Sequence, residues 1–293
     1  MQKITPYLWF AEEAEQAVNL YASSFKNSKV GEITRFGAEV PGPAGKVMTV
    51  SFQLAGQEFI ALNGGPQFSF TPAVSFFVYC QTQEEIDTLW NKLSAGGTVL
   101  MELEKYPFSE KFGWLMDRFG VSWQLSLANL PQKINPYLLF VGQQHGKAEE
   151  AMNYYISQFP NSSISEIKHY GPGQDDPAET VMHARFMLNG QEFMAMDSAF
   201  EHAFTFTPAI SFLINCQTQE EVDRFWNKLT EGGEEGQCGW LIDKFGVSWQ
   251  VVPTILGELL SDPDGERAGR VAQAMLKMQK IEIGPLKQAY EQG

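Results

Sequence analysis

A chain of 293 residues, 44% apolar and 13% aromatic, carries enough hydrophobic surface for two buried cores of ordinary size. Its formal net charge of -14 and isoelectric point near 4.8 argue against a nucleic-acid phosphate surface or an anionic membrane as partner, because no basic stripe offsets the repulsion. The class of partner that remains is a small ligand that is neutral or locally neutralised.

The first predicted strand, Ile4 to Phe10, is short, aromatic and carries Pro6 near its start, as an edge or first strand does. A helix follows, with Val18, Tyr21, Ala22 and Phe25 in one buried stripe and Glu12, Glu13 and Glu15 in the first turns, where the macrodipole favours acids. Val30 to Phe36 reads as a strand, Pro41-Gly42-Pro43 as a loop, and Lys46 to Leu54 with Gln57 to Leu62 as a hairpin hinged at Ala55-Gly56. After Asn63-Gly64-Gly65-Pro66 the order begins again. Ala73 to Cys80 is a strand and Thr82 to Leu93 a helix, opened by Thr82 and Glu85 at capping-box spacing and closed by Gly96-Gly97. Val99 to Leu103, Trp114 to Met116 and Ser122 to Leu127 complete a second strand-helix-three-strand unit.

The whole pattern then repeats. Phe70 to Gly97 returns as Phe206 to Gly233 with 19 of 28 positions identical, and GWLMDRFGVSWQL from Gly113 returns as GWLIDKFGVSWQV from Gly239 with 10 of 13. The loop between the two matches is ten residues longer in the first copy. The chain is a tandem duplication, and this repeat sets the unit of reading. Residues 1–130 form copy one and residues 132–253 copy two, where Pro136-Tyr137-Leu138 echoes Pro6-Tyr7-Leu8 and Met152, Tyr155, Ile156 and Phe159 repeat the helix stripe. Residues 254–293 are a tail without a counterpart. There Val271, Ala274, Met275 and Met278 keep helical spacing after Ser261-Asp262-Pro263, and Pro285 begins a final short helix, so a packed helical tail is expected.

Cys80 and Cys216 fall at equivalent positions in strands of separate cores, where a bridge between them would have to join the two. With Cys238 they are expected to be reduced thiols of a cytoplasmic protein. The N-terminus lacks a basic n-region and a long apolar run, so neither a signal peptide nor a membrane span is expected.

Paired βαβββ units that curl into a cup resemble the vicinal-oxygen-chelate superfamily, to which glyoxalases and bleomycin-resistance proteins belong. The strings FTPAISFLINCQTQEEVDRFWNKLTEGG and CGWLIDKFGVSWQVVP, with the leading TPYLWF and the tail SDPDGERAGRVAQAMLKMQKIEI, resemble one branch, the 3-demethylubiquinone-9 3-methyltransferase or PhnB-like family. The resemblance covers nearly the whole chain, once per copy. It implies an α+β fold of paired βαβββ modules in two tandem glyoxalase-like domains. It also implies cups completed across an interface, which a tandem chain makes within itself as a pseudo-dimer, with further homodimerisation left open.

The superfamily's metalloenzymes hold a divalent ion by His and Glu. The resemblance places those positions at Thr5, Ala61, Ser75 and Gln124 in the first copy and at Asn135, Ala195, Ser211 and Gln250 in the second. None is a His or a carboxylate, so no metal and no cofactor is predicted. The methyltransferase label has no visible basis either, since no Gly-rich strand-to-helix turn with a following acid offers a nucleotide-type pocket. The expected cup lining is polar and uncharged at Ser75, Gln124, Ser211 and Gln250, and aromatic at Trp114 and Trp240, with Tyr7 and Tyr137 added when the first strand is shifted by one or two residues. Such a lining suits an aromatic or apolar small molecule held by a few oriented hydrogen bonds.

His183, in a clear strand, and Cys238, where the first copy has Phe112, complete the candidate ligand-binding residues; each also reads as ordinary packing. Trp90 and Trp226 read as core on their helix stripes; on the last strands only the Trp or the Gln face can point into the cup, and the resemblance favours the Gln face, which leaves Trp123 and Trp249 as core. Asp117 and Asp243 read as caps of the Asp-x-Phe-Gly turn, and Glu84-Glu85 and Glu220-Glu221 as helix-start residues. No catalytic residue is assigned. Three functions compete: a metal-independent small-molecule binder, an enzyme of the superfamily (metal-dependent or methyl-transferring), and a structural pseudo-dimer with one degenerate cup.

Overall fold

The computed structural model describes residues 2–37 and 42–292, so Pro41 of the predicted loop lies outside the described residues. The first module holds β1 (Ile4–Phe10), α1 (Ala14–Ala22), β2 (Lys29–Arg35), β3 (Val47–Leu54) and β4 (Gln57–Asn63). The second holds β5 (Val74–Cys80), α2 (Gln83–Ser94), β6 (Thr98–Tyr106), β7 (Ser109–Met116) and β8 (Ser122–Leu127). In the third are β9 (Lys133–Phe140), α3 (Ala148–Gln158), β10 (Ser163–His169), β11 (Val181–Leu188) and β12 (Gln191–Asp197). The fourth comprises β13 (Ile210–Cys216), α4 (Gln219–Leu229), β14 (Glu234–Glu235), β15 (Trp240–Ile242) and β16 (Ser248–Pro253). Helices α5 (Thr254–Leu260), α6 (Gly265–Met275) and α7 (Ile283–Glu291) end the chain.

The strands form two eight-stranded mixed sheets, and each draws on both copies. One sheet runs β14-β15-β16-β13-β1-β4-β3-β2 and joins the first module to the fourth; the other runs β10-β11-β12-β9-β5-β8-β7-β6 and joins the second to the third. The seams are antiparallel, with Tyr7 opposite Ser211 where β1 meets β13 and Ser75 opposite Tyr137 where β5 meets β9. We call the two concave faces the terminal cup and the middle cup.

Strand alternation decides which side chains reach a cup. Ile4, Leu8 and Phe10 of β1, Phe212 and Ile214 of β13, and Trp249 and Val251 of β16 pack into one hydrophobic cluster with the helices, which leaves Tyr7, Trp9, Ser211 and Gln250 on the opposite face. Trp123 and Trp249, each 1% exposed, are core, on the face that the resemblance assigned to it. Their indole N–H groups donate to Asp117 and Asp243, whose other oxygens accept the backbone N–H groups of Phe119 and Val121 and of Phe245 and Val247. The predicted capping role of both aspartates is what the structure has.

Thr82 and Thr218 cap α2 and α4 by accepting from Glu85 N and Glu221 N. The glutamates reach back one residue further than a standard capping box, to the N–H of Gln81 and Gln217. The longer loop of the first copy is the hairpin β6–β7, against the two-residue β14 and three-residue β15. At the short end the tail takes its place. Cys238 N and Gly239 N donate to Met278 O and Gln279 O, and Val252 packs with Leu256, Leu259, Val271, Ile281 and Leu286 in a second small core. Gly239, at φ +84, is required there, since a Cβ would lie 2.7 Å from Val251 O and 3.2 Å from Ile281. Met278 falls past the end of α6, and α7 begins two residues before Pro285. Among the described residues no helix is long and apolar enough to cross a membrane.

Candidate functional site

Sheet pairing regroups the residues expected to line the cups. Thr5 shares the terminal cup with Ser211 and Gln250, and Asn135 shares the middle cup with Ser75 and Gln124, so each set combines both copies rather than belonging to one. Ala61 and Ala195 line neither cup. They lie on the helix-facing side beside Phe59 and Phe193, fully buried in the core, because residues two apart on a strand share a face. The cup-facing neighbours are Ile60 and Leu62, and Met194 and Met196.

At each cup base an amide is tied to a hydroxyl. Gln250 Nε2 donates to Ser211 Oγ at 2.9 Å and Gln124 Nε2 to Ser75 Oγ at 2.8 Å, with all four side chains buried. Thr5, Ser211 and Gln250 in one cup, and Asn135, Ser75 and Gln124 in the other, do not fit a first-row divalent ion, which needs imidazole, thiolate or carboxylate donors. Among the described residues no three His, Cys, Asp or Glu side chains converge in metal-binding geometry.

The cups differ above that base. In the terminal cup Trp240 packs edge-on against Tyr7 and Trp9, with ring centroids 5.8 and 5.7 Å away, and all three rings stay half-buried. Burial raises the Tyr7 hydroxyl well above the ordinary tyrosine range, so it stays a neutral phenol. Of the counterparts in the middle cup, Tyr137 and Leu139 are at most 4% exposed, with Met194 and Phe112 buried beside them, while Trp114 stays half-buried like Trp240. There Phe77 stacks on Tyr137 at 6.1 Å, the Tyr137 hydroxyl lies 3.3 Å from His183 Nδ1, and Trp114 donates its indole N–H to Ser122 Oγ at 2.8 Å. Burial lowers the His183 pKa, which keeps the imidazole neutral.

Cys238 does not open onto a cup mouth. Its thiol lies against Met275 O of the tail, and burial raises its pKa, which is the environment of an unreactive thiol. Cys80 and Cys216 are free and buried, with thiols pushed up to about 12 by burial. The other histidines each have a local partner: His145 meets Asp176, His169 meets Glu149 and His202 meets Ser198.

Several cup residues escaped the sequence reading. Trp9 shares the odd-numbered face of β1 with Thr5 and Tyr7, a signal that alternation alone could have supplied. Arg185, paired with Glu166 at 3.3 Å and Glu192 at 3.4 Å at the rim of the middle cup, carried no signal, because which strands neighbour β11 is a tertiary fact.

The sequence profile described as 3-demethylubiquinone-9 3-methyltransferase matches residues 2–126 and again 132–252. The PhnB protein from Bacillus cereus is 50% identical over 43% of this chain and 100% of its own, with a TM-score of 0.42. Glyoxalase I from Zea mays, 10% identical, superposes over 89% of this chain and 98% of its own with a TM-score of 0.55, a likeness of fold. An uncharacterized protein of Mycobacterium bovis is 26% identical over 133 residues, 42% of this chain and 80% of that protein. The chain therefore belongs to the 3-demethylubiquinone-9 3-methyltransferase family, whose domain it carries twice in tandem on the vicinal-oxygen-chelate fold.

Proposed function

We propose that this protein binds a small organic molecule, aromatic or apolar, without a resident metal ion. The observation that carries the reading is the pair of buried Gln–Ser hydrogen bonds at the cup bases, Gln250 to Ser211 and Gln124 to Ser75. They supply oriented neutral groups where metalloenzymes of this superfamily place ionic donors. An aromatic wall over a neutral polar base recognises a flat molecule by contact area and one or two hydrogen bonds. The three free thiols agree with a reducing compartment, as expected of a cytoplasmic protein.

The filled middle cup favours a second reading for that half of the molecule, in which it is a structural partner and only the terminal cup takes ligand. Thermal-shift and equilibrium-dialysis screening against quinones, aromatic antibiotics and short acids, with and without chelator, tests the binding function. Saturable binding that chelator leaves unchanged is expected. Binding that requires added nickel, zinc, iron or manganese, or turnover of a methyl donor, would replace this reading with an enzymatic one.

A further inference from the structure

The geometry points to a single ligand site, a cleft of about 910 Å³ beside Trp9 in the first module, and to a flat, uncharged aromatic molecule as its occupant. This rests on the binding reading above and goes beyond it, because the cleft shares Trp9 with the terminal cup but not the Gln250–Ser211 base. Trp9, Leu62 and Leu276 give the cleft its apolar wall, so the tail completes a site that a single copy would leave open. Among the described residues Glu12 and Glu15 oppose Arg35 and Lys46 around the same cleft, two charges of each sign, so these four together offer no net charge to attract an ionic ligand.

In the second copy the equivalent connection is tied to its surroundings by side-chain bonds. The connections 36–46 and 170–180 have the same length, and Asp176, 5% exposed, latches the second one. It accepts from Thr180 Oγ1 at 2.6 Å and from Ala199 N, and meets His145 Nε2 at 2.7 Å. In the first copy Gly42 stands at the Asp176 position and Lys46 at Thr180, and the short turn carrying His145 has no counterpart. Gly42 and Lys46 offer neither the carboxylate nor the hydroxyl of that latch.

Trp9 also depends on a glycine that the second copy lacks. Its indole N–H donates to Gly65 O at 2.8 Å, which brings the ring so close to Gly64 that a Cβ there would lie 2.2 Å from it. Ser198 takes the Gly64 position in the second copy, beside a buried Leu139 instead of a tryptophan. Gly64 and Trp9 therefore work as a pair, and Gly64→Ser displaces the aromatic wall without touching the core.

Equilibrium dialysis of the full chain with 1-naphthol as the uncharged aromatic probe, and 1-naphthoate as its anionic counterpart, tests the site. One naphthol per chain is expected, with naphthoate weaker by about tenfold, and with Trp9→Ala and Gly64→Ser each weakening naphthol by about tenfold. Phe200→Ser, at an exposed loop position of the second copy, should leave the affinity unchanged. Should Trp9→Ala fail to fold, Leu276→Ala at the half-buried tail reads the same wall. Naphthol binding that survives both cleft variants with the fold intact, two naphthols per chain, or tighter binding of naphthoate would overturn the assignment. A wild-type chain that ignores naphthol while binding another screened compound sinks this site and its ligand class but leaves the binding function standing; a chain that binds nothing sinks both.

Discussion

Four donors converge on one buried carboxylate at Asp243: two backbone N–H groups on Oδ1, and the Tyr155 hydroxyl and Trp249 indole on Oδ2. Burial still wins over those bonds and pushes its pKa up to about 6, from an ordinary 3.8. A folded value above the unfolded one means that this group's contribution is fully present below about pH 4 and is lost as the pH rises through 6. Asp243→Asn removes that titration, so the stability advantage of the wild type over the variant should narrow between pH 4 and pH 6 in urea melts; an advantage that widens over that interval contradicts the assignment. A second residue-scale prediction concerns Ala55, which sits in the left-handed region at φ 48 in the β3–β4 turn, where the second copy has Asn189 at the same angle. Asparagine tolerates that conformation better than alanine, so Ala55→Asn should raise stability by about 1 kcal/mol, and an unchanged or lower urea midpoint would count against it.

At the scale of elements, the helix starts were the most legible part of the chain. Thr82 and Thr218 cap α2 and α4 where the sequence placed them, and Thr218→Ala should cost about 1 kcal/mol by chemical denaturation, with no measurable loss telling against the cap. Strand faces were harder to read. β4 reads Phe59-Ile60-Ala61-Leu62, apolar on both faces, so hydrophobicity alone cannot say which face meets the helices, and the sequence reading set Ala61 in the cup. The strand β8 alternates Ser122-Trp123-Gln124, large against polar, and there the faces came out as expected. Helix α5 was missed because the stretch Thr254 to Leu260 follows directly on β16 with no turn residue to mark the change.

For the molecule as a whole, the two seams β1–β13 and β5–β9 stitch each copy into both sheets. Local sequence could establish four similar modules but not which of them pair, because all four present the same strand pattern. For that reason Thr5 was grouped with Ser75 and Gln124 when it shares a cup with Ser211 and Gln250. The seams also predict that the chain unfolds in one cooperative transition. Proteolytic nicking near the exposed Leu130 should leave the two halves comigrating in size-exclusion chromatography until denaturant is added; halves that separate under native conditions would show that the seams do not hold.

The central claim is that the duplicated fold keeps its cups while Gln–Ser pairs stand where ionic donors would grip a metal. Its most direct measurement is the metal content of the protein after equilibration with excess nickel, zinc, manganese and iron followed by desalting. The account predicts a content far below one equivalent per chain, unchanged in Gln250→Ala. A full equivalent that falls away in Gln250→Ala or Gln124→Ala would contradict it.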